Sequence, residues 1–333
     1  MRTLRIAVFS AMLLSLIVVM LGAYTRITDA GLGCPDWPGC YGHMILPIHK
    51  LENTQTIPAK ISINARKAWT EMAHRYVAGT LVLMVILITY KLLRTSLIST
   101  LLTWTLLLLL GLQALLGMWT VTLKLLPLVV MGHLLGGILI FTCLSYLCCQ
   151  LSAIERIYLP GWHRILQLGF LIVFLQIALG GWVSSNYAGL ACTGFPLCNG
   201  QWISHIDFTK GFQLFSTLGL SYQGGILNSS SRIAINWVHR LGAFVTAIYV
   251  CIAVSIVAIQ ASTKFIRWAA LSSIICLIMQ FILGITNVIY LLPLWSTILH
   301  NGIATLLLAL IASLCYATGL KTNKIMQGVT HAV

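Results

Sequence analysis

The chain has 333 residues, of which 59% are hydrophobic and only 8% charged, with a mean hydropathy of +0.95. So little charge over this length excludes a water-soluble globular protein and predicts a polytopic membrane protein. The formal net charge of +14 does not point to nucleic acid, because the cations cluster at the ends of apolar stretches rather than on one face.

Eight apolar stretches are long enough to span, at roughly 6–25, 71–93, 100–121, 128–150, 163–183, 236–260, 266–287 and 294–318. Crossing about 30 Å of hydrocarbon takes about 20 residues at about 1.5 Å each. The first follows only Met1-Arg-Thr-Leu-Arg5 and lacks an Ala-x-Ala cleavage pattern, so it reads as a retained helix. No transit peptide precedes it, which favours a bacterial inner membrane. Arg2/Arg5, Lys91/Arg94, Arg156/Arg164, Lys264/Arg267 and Lys321/Lys324 mark ends that share one side. The positive-inside rule makes that side, with both termini, cytoplasmic.

Two long segments, about 26–70 and 184–235, then face outward, and each lies after the first helix of a half. Their aromatic residues (Trp37, Trp69, Trp202, Phe212, Phe215) predict loops that lie on the membrane surface. The chain repeats itself. Gly22, Gly31, Leu32, Cys34 and Cys40 return 158 positions later as Gly180, Gly189, Leu190, Cys192 and Cys198. His74-Arg75 returns as His239-Arg240, and Gln113, Gly117, His133 as Gln280, Gly284, His300. The predicted fold is therefore all-α, with eight transmembrane helices in two pseudosymmetric four-helix bundles, 1–150 and 151–333, joined by a link at 151–162.

The outward loops hold two Cys-x5-Cys pairs, Cys34/Cys40 and Cys192/Cys198. On an oxidising face each pair reads as a disulfide, either a staple or a redox-active dithiol. Zinc is disfavoured: only His43 and His49 lie near the first pair and His205 near the second, and the spacing is too long for a structural site. Cys143, Cys148, Cys149, Cys251, Cys276 and Cys315 fall inside helices as small core residues.

His74 and His133 fall about one turn inside the outer ends of the second and fourth helices, and His239 and His300 match them in the second half. Two histidines facing across a four-helix bundle suit axial ligation of a haem iron, whereas zinc or copper wants three or four clustered ligands. Gly79, Gly136, Gly137, Gly242 and Gly302 beside them would let a flat macrocycle approach the backbone. Arg75 and Arg240 either pair with haem propionates or snorkel to the surface. His43, His49, His163, His205 and His331 read as solvated. The repeat breaks at Glu71, three residues before His74, where the second half has Asn236. Glu71 is either a partner for the helix dipole or a proton-handling group in the first half alone.

Gly31-Leu-Gly-Cys-Pro-Asp-Trp-Pro-Gly-Cys40, Gly189-Leu-Ala-Cys-Thr-Gly-Phe-Pro-Leu-Cys-Asn-Gly-Gln-Trp202, Glu71-Met-Ala-His-Arg75 and Asn236-Trp-Val-His-Arg240 closely resemble the haem A synthase family over essentially the whole chain. The resemblance implies oxidation of the C8 methyl of haem O to the formyl of haem A, for haem-copper oxidases. It implies haem b held by His239 and His300 with Arg240, and substrate haem O between His74 and His133 with Arg75. Glu71, Cys34 and Cys40 would be the catalytic group. The haem O-forming farnesyltransferase is the implied membrane partner, while the electron acceptor, the oxygen source and any homo-oligomer stay open. A di-haem electron carrier and a quinone-coupled disulfide oxidoreductase are the rival readings.

Overall fold

The computed structural model describes residues 1–46, 64–95, 98–152, 154–202, 206–261 and 263–319. His49, His205, His331, Lys321 and Lys324 lie outside them. Eight helices are long and apolar enough to cross a membrane, so the chain is a multi-pass membrane protein. They are α1 (Arg2–Ile27), α2 (Ala65–Thr95), α3 (Thr100–Thr122), α4 (Pro127–Leu151), α5 (Pro160–Ser185), α6 (Ser229–Gln260), α7 (Lys264–Ile289) and α8 (Leu294–Thr318). The described residues contain no β-strand, only isolated bridges at Cys40–His43 and Cys198–Gln201.

The helix starts carry recognisable signals. Pro127 and Pro160 stand in the first turns of α4 and α5, where a missing N–H costs nothing. Asn64 and Asn228 accept the backbone N–H of Lys67 (3.1 Å) and Ser231 (3.0 Å), capping α2 and α6. Both helices begin earlier than the hydropathy implies, because their first turns are polar (Ala65-Arg-Lys-Ala-Trp-Thr, Ser229-Ser-Ser-Arg). Glu71 therefore sits almost two turns inside α2 rather than at its head. His163, expected in a loop, lies in the first turn of α5, its Nδ1 3.5 Å from the Thr318 hydroxyl.

α1, α2, α3 and α4 pack as a closed ring of neighbours, and so do α5, α6, α7 and α8. The rings meet where α8 touches α1 and α4, and where α4 touches α5. One apolar core, with Val8, Val85, Leu106 and Leu144, belongs wholly to the first ring. The other, with Val173, Val254, Ile266 and Leu308, draws buried Val19 and Ile138 from it, with half-buried Leu134 and Leu135 packed alongside. Between the rings, a Cβ at Gly181 would press on Leu134 and Met131, and one at Gly302 on Met20, so these glycines let the helices close.

The backbone repeats even where side chains differ. The described non-glycine residues with positive φ form repeat-related pairs: Asp29 and Tyr187 (53° and 54°), Tyr41 and Asn199 (both 52°), and Lys124-Leu125 with Leu291-Leu292. Left-handed backbone costs an ordinary residue about 1–2 kcal/mol, so its recurrence at matched positions marks one local design used twice. The first pair also bridges the halves. The Tyr187 hydroxyl donates to Asp29 Oδ1 (2.8 Å), the Arg26 guanidinium lies 3.9 Å above the Tyr187 ring, and Arg26 donates to the Ser184 carbonyl. The outer loop of the second half reaches across as well, with buried Tyr222 donating its N–H to the Lys124 carbonyl (3.0 Å). Trp202, Leu214, Phe215 and Leu218 stay exposed on that loop, as an interfacial position requires.

The Tyr187–Asp29 bond is testable with a variant that keeps the ring under Arg26. Tyr187→Phe should lower the thermal-unfolding midpoint of the detergent-solubilised protein, reflecting a loss of about 1 kcal/mol. An unchanged midpoint would show that the bridge contributes nothing to joining the halves.

Candidate functional site

α2, α4, α6 and α8 all start at the end that carries the Cys loops. His74 is the tenth residue of α2, His133 the seventh of α4, His239 the eleventh of α6 and His300 the seventh of α8. His74 and His239 lie deeper than expected, because α2 and α6 start earlier than the hydropathy implies.

Each imidazole rests on a glycine of the preceding helix. A Cβ added at Gly22 would stand 3.3 Å from His74 Cε1, at Gly117 3.2 Å from His133, at Gly180 3.1 Å from His239 and at Gly284 3.5 Å from His300. These are the glycines of the sequence repeat, so the repeat preserves the seats along with the ligands. They replace the glycines expected to shape the site: Gly79 faces open space, Gly302 faces Met20, and Gly136, Gly137 and Gly242 face the Gln113 and Gln176 side chains.

Among the described residues, Nδ1 of His74, His133 and His300 is buried without a partner. The His74 and His133 ring centroids are 6.4 Å apart. Two metal–imidazole bonds of about 2 Å, one on each side of a metal, plus the radius of each ring, put the centroids roughly 6 Å apart. The first pair thus has the spacing of two axial ligands. Among the described residues no three His, Cys, Asp or Glu side chains converge, which leaves a two-ligand centre as the metal chemistry these donors fit.

The loops close over the same end. Cys34 is bonded to Cys40 and Cys192 to Cys198, and all four sulfurs are buried. The other six cysteines are free and helical, but Cys251, expected in the core, is exposed. Arg75 and Arg240 turn out to hold these loops. Arg75 donates to the carbonyls of Asp36 (3.0 Å), Pro38 (3.2 Å) and Gly39. Arg240 donates to those of Cys192 (2.6 Å), Gly194 (3.0 Å) and Leu197 (3.4 Å). Arg75 also meets the Glu71 carboxylate, while Arg240 Nε is buried without a partner among the described residues.

Glu71 is buried. One carboxylate oxygen accepts the Cys34 N–H (2.8 Å) and the other is ion-paired to Arg75. Asn236 does the same mechanical job by donating to the Ala188 (2.9 Å) and Gly189 (3.2 Å) carbonyls. Both positions anchor a loop, but only Glu71 brings a charge. In the first loop Asp36 accepts the Tyr41 and Gly42 N–H groups (2.6 and 2.8 Å), and in the second Asn199 braces Thr193 and Ala191. Burial, and then the nearby Glu71 and Asp36 carboxylates, push the Tyr41 hydroxyl above its ordinary value, so it stays protonated.

Gln176 was not singled out in the sequence. Its amide nitrogen lies 3.0 Å from His239 Nδ1. The signal was present: Gln113-x3-Gly117 and Gln280-x3-Gly284 recur as Gln176-x3-Gly180.

Residues 5–312 match a family described as cytochrome oxidase assembly protein, COX15-CtaA. A protein of Shewanella oneidensis named "Heme A synthase" is 41% identical over 91% of this chain and 92% of its own length. Proteins of the same name from a Caulobacter species (strain K31) and from Halalkalibacterium halodurans are 29% and 26% identical. These cover 92% and 90% of this chain, and 94% and 91% of their own.

The arginine clamps predict a selective effect on the disulfides. Arg240→Ala should speed reduction of Cys192–Cys198 by dithiothreitol about tenfold or more, the factor matching one charged hydrogen bond of about 1.5 kcal/mol. Cys34–Cys40 should be unaffected, and Arg75→Ala should do the reverse. Equal rates in wild type and variants, read by alkylation and mass spectrometry, would contradict the clamp.

Proposed function

The chain belongs to the cytochrome oxidase assembly protein family, and from that premise we propose that it is a haem A synthase. It oxidises the C8 methyl of haem O to a formyl group, through a hydroxylated intermediate, to give haem A for terminal oxidases. The observation that carries this reading is a symmetric pair of histidine seats made chemically unequal by Glu71 in one and Asn236 in the other.

In this reading His239 and His300 hold a resident haem b, and His74 and His133 flank the substrate haem O. The fit rests on the rings: glycines clear the space beside each, and the first pair stands at two-ligand spacing. A resident haem b supplies one-electron chemistry. The protein's own part is positioning and proton handling.

Converting a methyl to a formyl group removes hydrogen from carbon beside the substrate, so a proton acceptor close to it is required. Glu71 lies one turn from His74 on the same face. Its carboxylate is held by the Cys34 N–H and by Arg75, which fixes its place and stabilises its charge. A fixed carboxylate also stabilises positive charge developing on the substrate. Arg75 then serves the substrate side through Glu71 and the loop. The Cys34–Cys40 disulfide belongs to the same assembly, since Cys34 is the residue bonded to Glu71.

The Cys loops face the oxidising side of a bacterial inner membrane, with both termini cytoplasmic. Arg5, Lys91, Arg94, Arg156, Arg164, Lys264 and Arg267 all lie at or beyond the helix ends remote from the loops, which supports that orientation. Haem O arrives from the farnesyltransferase that makes it. A plain electron carrier would leave Glu71 unexplained, and a disulfide oxidoreductase would leave four seated histidines idle.

Expressed with haem O present, Glu71→Gln should keep the stable haem b yet cut haem A output about a hundredfold. His239→Ala or His300→Ala should strip the b-type absorbance from the protein as isolated. Near-normal haem A from Glu71→Gln would reduce the residue to a loop anchor. Loss of the stable haem from His74→Ala instead would reverse the two halves.

A further inference from the structure

Three of the four odd-numbered helices carry Gln-x3-Gly: Gln113/Gly117 on α3, Gln176/Gly180 on α5 and Gln280/Gly284 on α7. Residues four apart share a helix face, so the glycine seats the imidazole while the glutamine, one turn along, reaches the histidine backbone. Gln113 donates to the His133 carbonyl (2.6 Å), Gln280 to that of His300 (2.7 Å) and Gln176 to that of His239 (2.9 Å). On α1 the corresponding residue, four before Gly22, is Val18.

Gln176 differs from the other two because it also meets the ring, with Nε2 3.0 Å from His239 Nδ1. Its Oε1, like that of Gln113, is buried without a partner among the described residues, in space that a Cβ at Gly242 would fill, as one at Gly136 would beside Gln113. Gly242 lies three residues after His239. The residue three after His74 is Val77, so the first half replaces the Gln176/Gly242 pair with Val18/Val77. Nδ1 of His74 accordingly has no partner.

We propose that Gln176 is a positioning residue that locks His239 as a permanent iron ligand, and that its replacement by Val18 leaves His74 an exchangeable one. The inference rests on the reading of the second half as the resident haem b site. A histidine that ligates through Nε2 carries its remaining proton on Nδ1 and needs an acceptor for it. A half-turn of the Gln176 amide, whose two ends have nearly the same shape, presents Oε1 to that proton and gives the orphaned oxygen its partner. The His239 carbonyl released by the turn keeps its intrahelical bond. The bond to Nδ1 fixes the ring and makes Nε2 more basic, which favours retention and ferric iron. His74 receives none of this, as a ligand that must release product requires.

The test uses full-length protein isolated with its haem b, carrying Gln176→Leu or Gln176→Glu, with wild type and His239→Ala beside them. Two quantities are read: the rate of haem transfer to apomyoglobin and the reduction potential. Gln176→Leu should release haem about 10–100-fold faster and raise the potential. Gln176→Glu, an anionic acceptor of the same length, should retain haem and lower the potential. A packing role would not move the potential in opposite directions. Should Gln176→Leu fail to assemble, the lowered potential of Gln176→Glu decides alone. Wild-type potential and release in both variants would overturn the inference. Retention of the b haem by His239→Ala would instead overturn the resident-haem reading beneath it.

Discussion

Burying an imidazole among apolar membrane helices leaves two ring nitrogens to satisfy where no water can do it. Here four histidines meet that constraint in one way. A glycine across the helix interface admits each ring, and Nδ1 of three of them is buried without a partner among the described residues. Polar groups held unpaired in a membrane are costly and mark function. In the proposed reading, a haem iron between two such rings would give their nitrogens a partner. The glycines of the helices before each histidine, and the glutamines of three of those four helices, follow from the same requirement, because a seat needs room for a ring and an anchor steadies the backbone that carries it.

On this scaffold the two halves part company at few positions. The loop backbones, the disulfides and the arginine clamps repeat, down to the left-handed residues at their turns. The differences that bear on the seats are Glu71 against Asn236 and Val18/Val77 against Gln176/Gly242. The first exchange puts a fixed charge beside one seat, and the second puts a ring-gripping amide beside the other. In the proposed reading, such exchanges would let one half keep its iron and the other release it, with no change to the helical frame that positions both.

Much of this was legible in the sequence because it is carried by residue types that are expensive in a membrane. The eight spans, the repeat, the histidines, the Cys pairs and the Glu71 exchange all declare themselves through charge, polarity and spacing. Helix starts did not, since Arg66-Lys67 and Ser229-Ser-Ser-Arg232 lower the hydropathy of turns that are nonetheless helical. Nor did the task of Arg75 and Arg240, because a bond to a backbone carbonyl leaves no trace in the partner's side chain. Glycines beside the histidines in sequence drew attention from those across the helix interface, which is where a ring meets its neighbour. Gln176 escaped because the aligned block began at Gly180, one turn too late.

The central claim is that this chain makes the formyl group of haem A. Its most direct test is expression of the wild-type protein with a haem O-forming farnesyltransferase in a host that makes no haem A, followed by acid-acetone extraction and mass spectrometry of the pigments. The account predicts haem A together with the hydroxylated haem O intermediate. Recovery of haem b and unmodified haem O alone, from membranes containing the folded protein, would contradict it.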